Sequence, residues 1–345
     1  MLPFASDYME GAHSEILKSL TEGNFIARAG YGTDEVTKSA KEKILNSCKC
    51  LDGEVYFLVG GTQTNEVVID ALVPRYAGVI AANTGHVSLH EAGAIEFTGH
   101  KVLQLPQKLG KLDAETIENY LVDFYADDNA PHMVQPGMVY LSHPTEYGTL
   151  YTENELAAIH EVCQKYKLPL YLDGARLAYA LAANENELTL PKLAKYCDAF
   201  YIGGTKCGAL LGEAVVLPKK NSIPHFFTTI KQHGALLAKG WLLGVQFDVL
   251  FTNGLYENIG KTAIVQADRI RKVLQDLGYS LFFATPTNQT FVIMPNDLLP
   301  KLGKEVSYSF WEKYDDNSSV IRLATSWATT AADVDKLIAT LKNLR

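Results

Sequence analysis

Three stretches of this 345-residue chain set reactive or anion-holding residues at the ends of apolar runs. In "DAFYIGGTKCGALLGEAVVLP", Lys206 stands between two strand-like runs with Gly203, Gly204 and Gly208 around it. An ammonium is costly to hold in such surroundings, and desolvation favours the neutral, nucleophilic amine. The glycines are read as room for another group to come close to the backbone. In "LPLYLDGARLAYAL", a strand ends in Asp173, a carboxylate that needs a cation or donors beside it. A protonated pyridine nitrogen would serve, and so would the N-terminus of a helix. In "YFLVGGTQTN", a strand runs through Gly60, Gly61 and Thr62 directly into a helix, whose first amides and hydroxyl can cup a phosphate. The run is neither GxGxxG nor GxxxxGKS/T, so a dinucleotide fold or a P-loop is not indicated. Together these are the needs of pyridoxal 5′-phosphate: Gly61 and Thr62 for its phosphate, Asp173 for its ring nitrogen, and Lys206 for its aldehyde as a Schiff base.

Such residues must be positioned by elements with a common edge. "EVYFLVGG", "GVIAAN", "HKVLQLP", "GMVYLSH", "LPLYLD", "CDAFYIGG" and "GEAVVLP" read as strands. Helix-length segments separate most of them, among them "TQTNEVVIDALV" and "TENELAAIHEVCQKYK", the latter opened by Thr152 and Glu155 as a capping box. This alternation implies βαβ crossovers and a mostly parallel α/β sheet, with ligands beyond the carboxyl ends of its strands. From 222 to 275 the pattern turns helical, and "TFVIMP", "SSVIRLATSWATT" and "AADVDKLIATLKNL" follow as two strands and a helix. The chain therefore divides into a large α/β domain, 1–245, which includes the N-terminal segment, and a small C-terminal α+β domain, 246–345.

The totals agree with this organisation. Hydrophobic residues make up 47 % of the chain, enough for two cores, and a net charge of −8 excludes a general nucleic-acid binder. No apolar run reaches membrane-spanning length, and the N-terminus lacks the pattern of a signal peptide. Five scattered cysteines indicate neither a disulfide framework nor a zinc pair, so the expectation is a reduced, cytoplasmic protein acting on a small molecule. His86 and His90 are four apart and could share a helical face, but no third metal ligand is evident, and no metal is expected.

The sequence resembles the low-specificity threonine aldolases, in the aromatic amino acid β-eliminating lyase group of fold-type-I pyridoxal phosphate enzymes. "SDY", "YGTDEVT", "GGTQTN", "GHVSLHEAGAIEFTGHKV", "YLDGARLAYA" and "GGTKCGALLGEAVV" carry the likeness in order, over nearly the whole chain. The resemblance implies the large domain of that fold, with a mostly parallel seven-stranded sheet, and a homodimer or homotetramer. It also implies that His86 lies on the cofactor ring, that Arg176 and Arg322 with Ser6 hold a substrate carboxylate, and that Tyr31 reaches the site, from a neighbouring subunit. Lys231 and Lys239 are both candidates to meet the phosphate.

One departure concerns the substrate. Where many members of the family carry E-N-T-H, this chain reads "LSHPTEYGTLYT", with Thr145 taken to stand at the family histidine. Removal of a proton from a β-hydroxyl would then fall to His143, His86 or water. The expected reaction is cleavage of L-threonine-like β-hydroxy-α-amino acids to glycine and an aldehyde. The alternatives are β-elimination or amino transfer on the same cofactor, or a catalytically silent binding relative.

Overall fold

A computed structural model describes residues 1–344. Among these residues twelve strands appear in chain order: β1 (Leu2–Pro3), β2 (Glu54–Leu58), β3 (Ala77–Ala82), β4 (Val102–Leu105), β5 (Gln135–Ser142), β6 (Leu170–Asp173), β7 (Ala199–Gly203), β8 (Glu213–Leu217), β9 (Gln289–Pro295), β10 (Val306–Ser307), β11 (Ser309–Lys313) and β12 (Ser318–Ala324). Seven of them form one sheet in the order β2-β8-β7-β6-β5-β3-β4. The four pairs from β7 to β4 are parallel, and β8 runs antiparallel to both β7 and β2. β3, β7 and β8 are buried along their whole length, which explains why they read as unbroken apolar runs rather than as alternating ones. Helices cover both faces, and two large apolar clusters sit on the two sides of the sheet.

The helix Glu153–Tyr166 opens with the capping box its sequence announces. Thr152 accepts from the Glu155 N–H, and Glu155 returns a hydrogen bond from the Thr152 N–H. The segment after β8 is helical, including Trp241–Leu250 and Lys261–Asp276. A second sheet, β11-β12-β9, is antiparallel, and it packs on a smaller core with the helix Ala331–Asn343. The N-terminal residues join this small lobe: β1 pairs with β10, and Phe4 is fully buried in its core. No helix among the described residues is long and apolar enough to cross a membrane.

The parallel register puts chemistry at one edge. Ser142 at the end of β5 is level with Asp173 at the end of β6, and β7 delivers its last residue, Gly203, three positions before Lys206.

Candidate active site

At these strand ends lies a cavity of about 530 Å³, lined by Tyr8, His86, Glu146, Arg176, Lys206 and Arg322 among others. A narrower recess continues from it past Gly61, Asp173 and Tyr201. The two lobes and the N-terminal segment all contribute to the walls.

Lys206 is half-buried, and its amine makes no hydrogen bond or ion pair with a described residue; Nζ stands 6.0 Å from the centre of the Tyr8 ring. Burial, and then the positive charge of Arg176, push its amine below the ordinary lysine value, against the pull of Asp7, Glu213 and Asp173. The flanking glycines do not supply room for a ligand, as their sequence suggested. A Cβ on Gly203 would lie 2.4 Å from the carbonyl oxygen of Ala175, and one on Gly204 2.6 Å from that of Gly212. They let protein backbone pack against protein backbone. Gly208 turns the chain with φ at +94°, where a Cβ would meet Ile259 at 2.4 Å. Behind the lysine, Glu213 accepts from Thr205 Oγ1 at 2.7 Å and the Gly204 N–H at 3.0 Å. Burial pushes its carboxyl up to about 7, despite those bonds and the nearby Lys206.

Asp173 satisfies both readings of its position, one with each oxygen. Oδ1 accepts the Ala175 N–H at 2.9 Å, as a turn-capping aspartate would. Oδ2 accepts from Tyr140 Oη at 2.6 Å and from Asn65 Nδ2 at 3.1 Å. Burial would raise this carboxyl, yet the field of His86 and hydrogen bonds from Tyr140, Tyr201 and the Ala175 N–H hold it below the ordinary value. An acid kept ionised inside a cavity is what a protonated ring nitrogen would complete. Asn65 also donates to Glu91 Oε1 at 2.7 Å, and that same oxygen lies 2.7 Å from His86 Nδ1. Asp173 and His86 are therefore oriented by one network. The helix Gly61–Leu72 starts without any side-chain cap, so its first amides are open toward the recess, with Gly61 in the lining and Thr62 exposed beside it.

The two arginines differ. Arg176 is already paired: Nε and Nη2 donate to the two oxygens of Asp7 at 2.6 and 3.1 Å, and Asp7 is 1 % exposed. Arg322 makes no ion pair with a described residue. It donates from Nη1 to Gln289 Oε1 at 3.0 Å and from Nη2 to the Ala5 carbonyl at 3.1 Å, and its buried Nε has no partner. Burial, and then Arg176, lower it to about 10. A substrate carboxylate would relieve this uncompensated guanidinium. Ser6 is buried between Ala5 and Asp7, the residues that meet the two arginines.

Tyr31 does not line this cavity within one chain. It sits in a separate depression with Lys41, Phe227 and Leu237, and Lys231 Nζ lies over its ring at 4.7 Å. His86 and His90 do neighbour each other, with rings 5.7 Å apart, but His86 Nδ1 is committed to Glu91.

The loop after β5 corrects the sequence reading. His143 is turned into the protein, wholly buried, with Nε2 against Asn186 Oδ1 at 3.2 Å and Nδ1 accepting the Tyr151 N–H at 3.3 Å. Burial lowers it to about 4, and it does not reach the cavity. Thr145 is also buried, its hydroxyl 2.7 Å from that of Thr149. The side chain that faces the cavity is the next one, Glu146. Asp7 and Glu146 were both visible in the motifs "SDY" and "PTEYG", but nothing in their spacing shows which neighbour points inward.

Open helix amides, an ionised aspartate and a lysine with an unpaired amine, faced across the cavity by a guanidinium without an ion-pair partner, fit pyridoxal phosphate and an amino-acid substrate. On this architecture they make the molecule a pyridoxal phosphate-dependent lyase of fold type I. The chain belongs to the beta-eliminating lyase family, whose model matches residues 4–295. It is similar to a low specificity L-threonine aldolase of a Pseudomonas species, at 30 % identity over 98 % of this chain and 96 % of that one. The solved structure of a Leishmania major threonine aldolase superposes with a TM-score of 0.96 and 39 % identity, covering 100 % of this chain and 99 % of the other. Thermus thermophilus aspartate aminotransferase, at 14 % identity and a TM-score of 0.72 over 100 % of this chain and 92 % of that one, shares the fold.

Proposed function

We propose that the chain cleaves the Cα–Cβ bond of L-threonine-like β-hydroxy-α-amino acids, yielding glycine and an aldehyde. The observation that carries this reading is the opening of Lys206 and Arg322 onto one cavity, an amine to receive an α-amino group's partner and a cation without a counterion for the α-carboxylate. The names of the full-length relatives support the same bond.

Pyridoxal 5′-phosphate, when bound, supplies an electron sink for the pair left on Cα as the bond breaks. Lys206 is the residue to hold its aldehyde, since burial keeps the amine closer to neutral. Asp173 would keep the ring nitrogen protonated, and the amides of Gly61 and Thr62 would take the phosphate. His86, fixed by Glu91, is the group to cover the ring. Arg322 binds and orients the carboxylate, which fixes the scissile bond relative to the cofactor. Arg176 helps set the field around Lys206, with Asp7 holding it in place, and Ser6 stands by as a donor to the carboxylate. Tyr31 and Lys231 form a pair that a neighbouring subunit would bring to a site. A homodimer or homotetramer is accordingly part of this reading, and Phe25, 98 % exposed beside Ile26 at 55 %, offers apolar contact area for it.

Incubation of the purified protein with L-threonine and L-phenylserine tests the reading. Glycine should appear with the matching aldehyde. Absence of glycine from both would leave elimination or amino transfer, which product analysis separates. The holoprotein should also show a visible band that borohydride removes, and Lys206→Ala should lose both that band and glycine release. A colourless native protein would point to the silent relative.

A further inference from the structure

One carboxyl common to the cavity and its recess has no task in the scheme above. Glu146 lines both the main cavity and its recess, together with His86, Arg176 and Lys206. Its Oε1 accepts the His86 N–H at 2.9 Å and Ser142 Oγ at 2.7 Å. Both hydrogen bonds from other residues end on that oxygen, which leaves Oε2 to exchange a proton. The backbone is anchored as well: Gln289 Nε2 donates to the Glu146 carbonyl at 3.4 Å, and Gln289 Oε1 accepts from Arg322. The acid and the arginine that would fix the substrate carboxylate thus share one support.

Of the side chains considered from the sequence, His143 faces away, Thr145 is spent on Thr149, and His86, tied to Glu91 through Nδ1, is the ring assigned above to cover the cofactor. Burial raises the Glu146 carboxyl above its ordinary value, against the bonds from Ser142 and backbone amides, a direction suited to a group that must alternately hold and release a proton.

We propose that Glu146 is the catalytic acid–base at the substrate's β-hydroxyl, an inference that rests on the aldolase reading. As the Cα–Cβ bond breaks, the hydroxyl proton passes to Glu146 Oε2. The O–H electron pair becomes the second bond of the aldehyde carbonyl, and the Cα–Cβ pair remains with Cα. One proton then closes Cα as glycine, so substrate and products differ by no net proton or electron.

Glu146→Gln retains an oxygen to accept from His86 and Ser142 but cannot take up the proton. With cofactor loading matched by visible absorbance, glycine release from L-threonine should fall about 100-fold or more. Exchange of the α-hydrogen of glycine with deuterated solvent, read by NMR, involves no β-hydroxyl and should stay within about threefold of native. Glu146→Asp should fall between the two enzymes in cleavage. Cleavage by the Gln variant within about threefold of native would overturn the assignment. So would a loss of exchange equal to the loss of cleavage, which would make Glu146 structural. A native protein that exchanges glycine yet releases none from threonine would remove the aldolase reading itself, before any substitution is made.

Discussion

At the scale of single residues, what separates the side chains is whether their charge is already answered. Arg176 and Arg322 look alike in sequence, but Asp7 neutralises the first and nothing described neutralises the second. Arg322→Gln should therefore raise KM for L-threonine on the order of 100-fold, the loss expected for a charge-assisted carboxylate pair in a desolvated site. The cofactor band should persist, and an unchanged KM would show that the carboxylate binds elsewhere. His143 gives the opposite case. Its neutral form is satisfied on both sides, by Asn186 and by the Tyr151 N–H, so His143→Ala should cost about 1–3 kcal/mol of stability through unpaired buried partners. Glycine release at a temperature where the variant is folded should stay near native; a loss matching that of Glu146→Gln would return His143 to the chemistry. That Lys206, Asp173 and the 60–62 turn stand at or beyond strand ends was legible because each comes after an apolar run. Which of His143, Thr145 and Glu146 turns inward was not, since a loop has no side-chain period to read.

At the scale of elements, legibility followed burial. β3, β5, β6, β7 and β8 announce themselves as continuous apolar runs because both faces are covered. β1 and β10 are two residues each, too short for any pattern, and β11 has no buried residue, its sequence SFWEK mixing aromatic and charged side chains. Yet β11 brings Ser309 and Trp311 to the cavity, and Ser309 Oγ lies 3.3 Å from Arg322 Nη2. The elements also show where the site depends on fold rather than on chemistry. Gly208 closes the turn after Lys206 at a φ that side chains resist, with Ile259 in the way of any Cβ. Gly208→Ala should destabilise the protein by about 1–3 kcal/mol and weaken retention of the cofactor, because the strain falls two residues from the lysine. A melting curve and the visible absorbance after dialysis measure the two effects. Native values for both would mean that the turn relaxes without disturbing Lys206.

At the scale of the whole molecule, the N-terminal segment joins the lobes. β1 and Phe4 belong to the small core, and three residues later Asp7 pairs with Arg176 of the large domain while accepting from Asn288 Nδ2 at 2.9 Å, just before β9. Sequence patterning assigned this segment wholly to the large domain, because an isolated two-residue strand gives no sign of its partner 300 residues away. The connection has a pH signature. Burial by itself would raise the Asp7 carboxyl, but the charges of Arg176 and Lys206, with hydrogen bonds from Arg176 and Asn288, lower it from 3.8 to about 2. A carboxyl with a depressed folded value contributes its full stabilisation above its unfolded value and loses it as pH falls through the folded one. This lowering corresponds to ~2 kcal/mol, present above about pH 4 and lost toward pH 2. Asp7→Asn should remove that part of the acid dependence and also leave Arg176 buried without a counterion, at a cost of about 3–5 kcal/mol near neutrality. Urea denaturation at pH 7, 4 and 3 reads both effects. The variant should be much the weaker at pH 7 and should converge on the native protein as pH drops. Parallel stability curves across that range would show that the tie between the lobes does not run through the charge of Asp7.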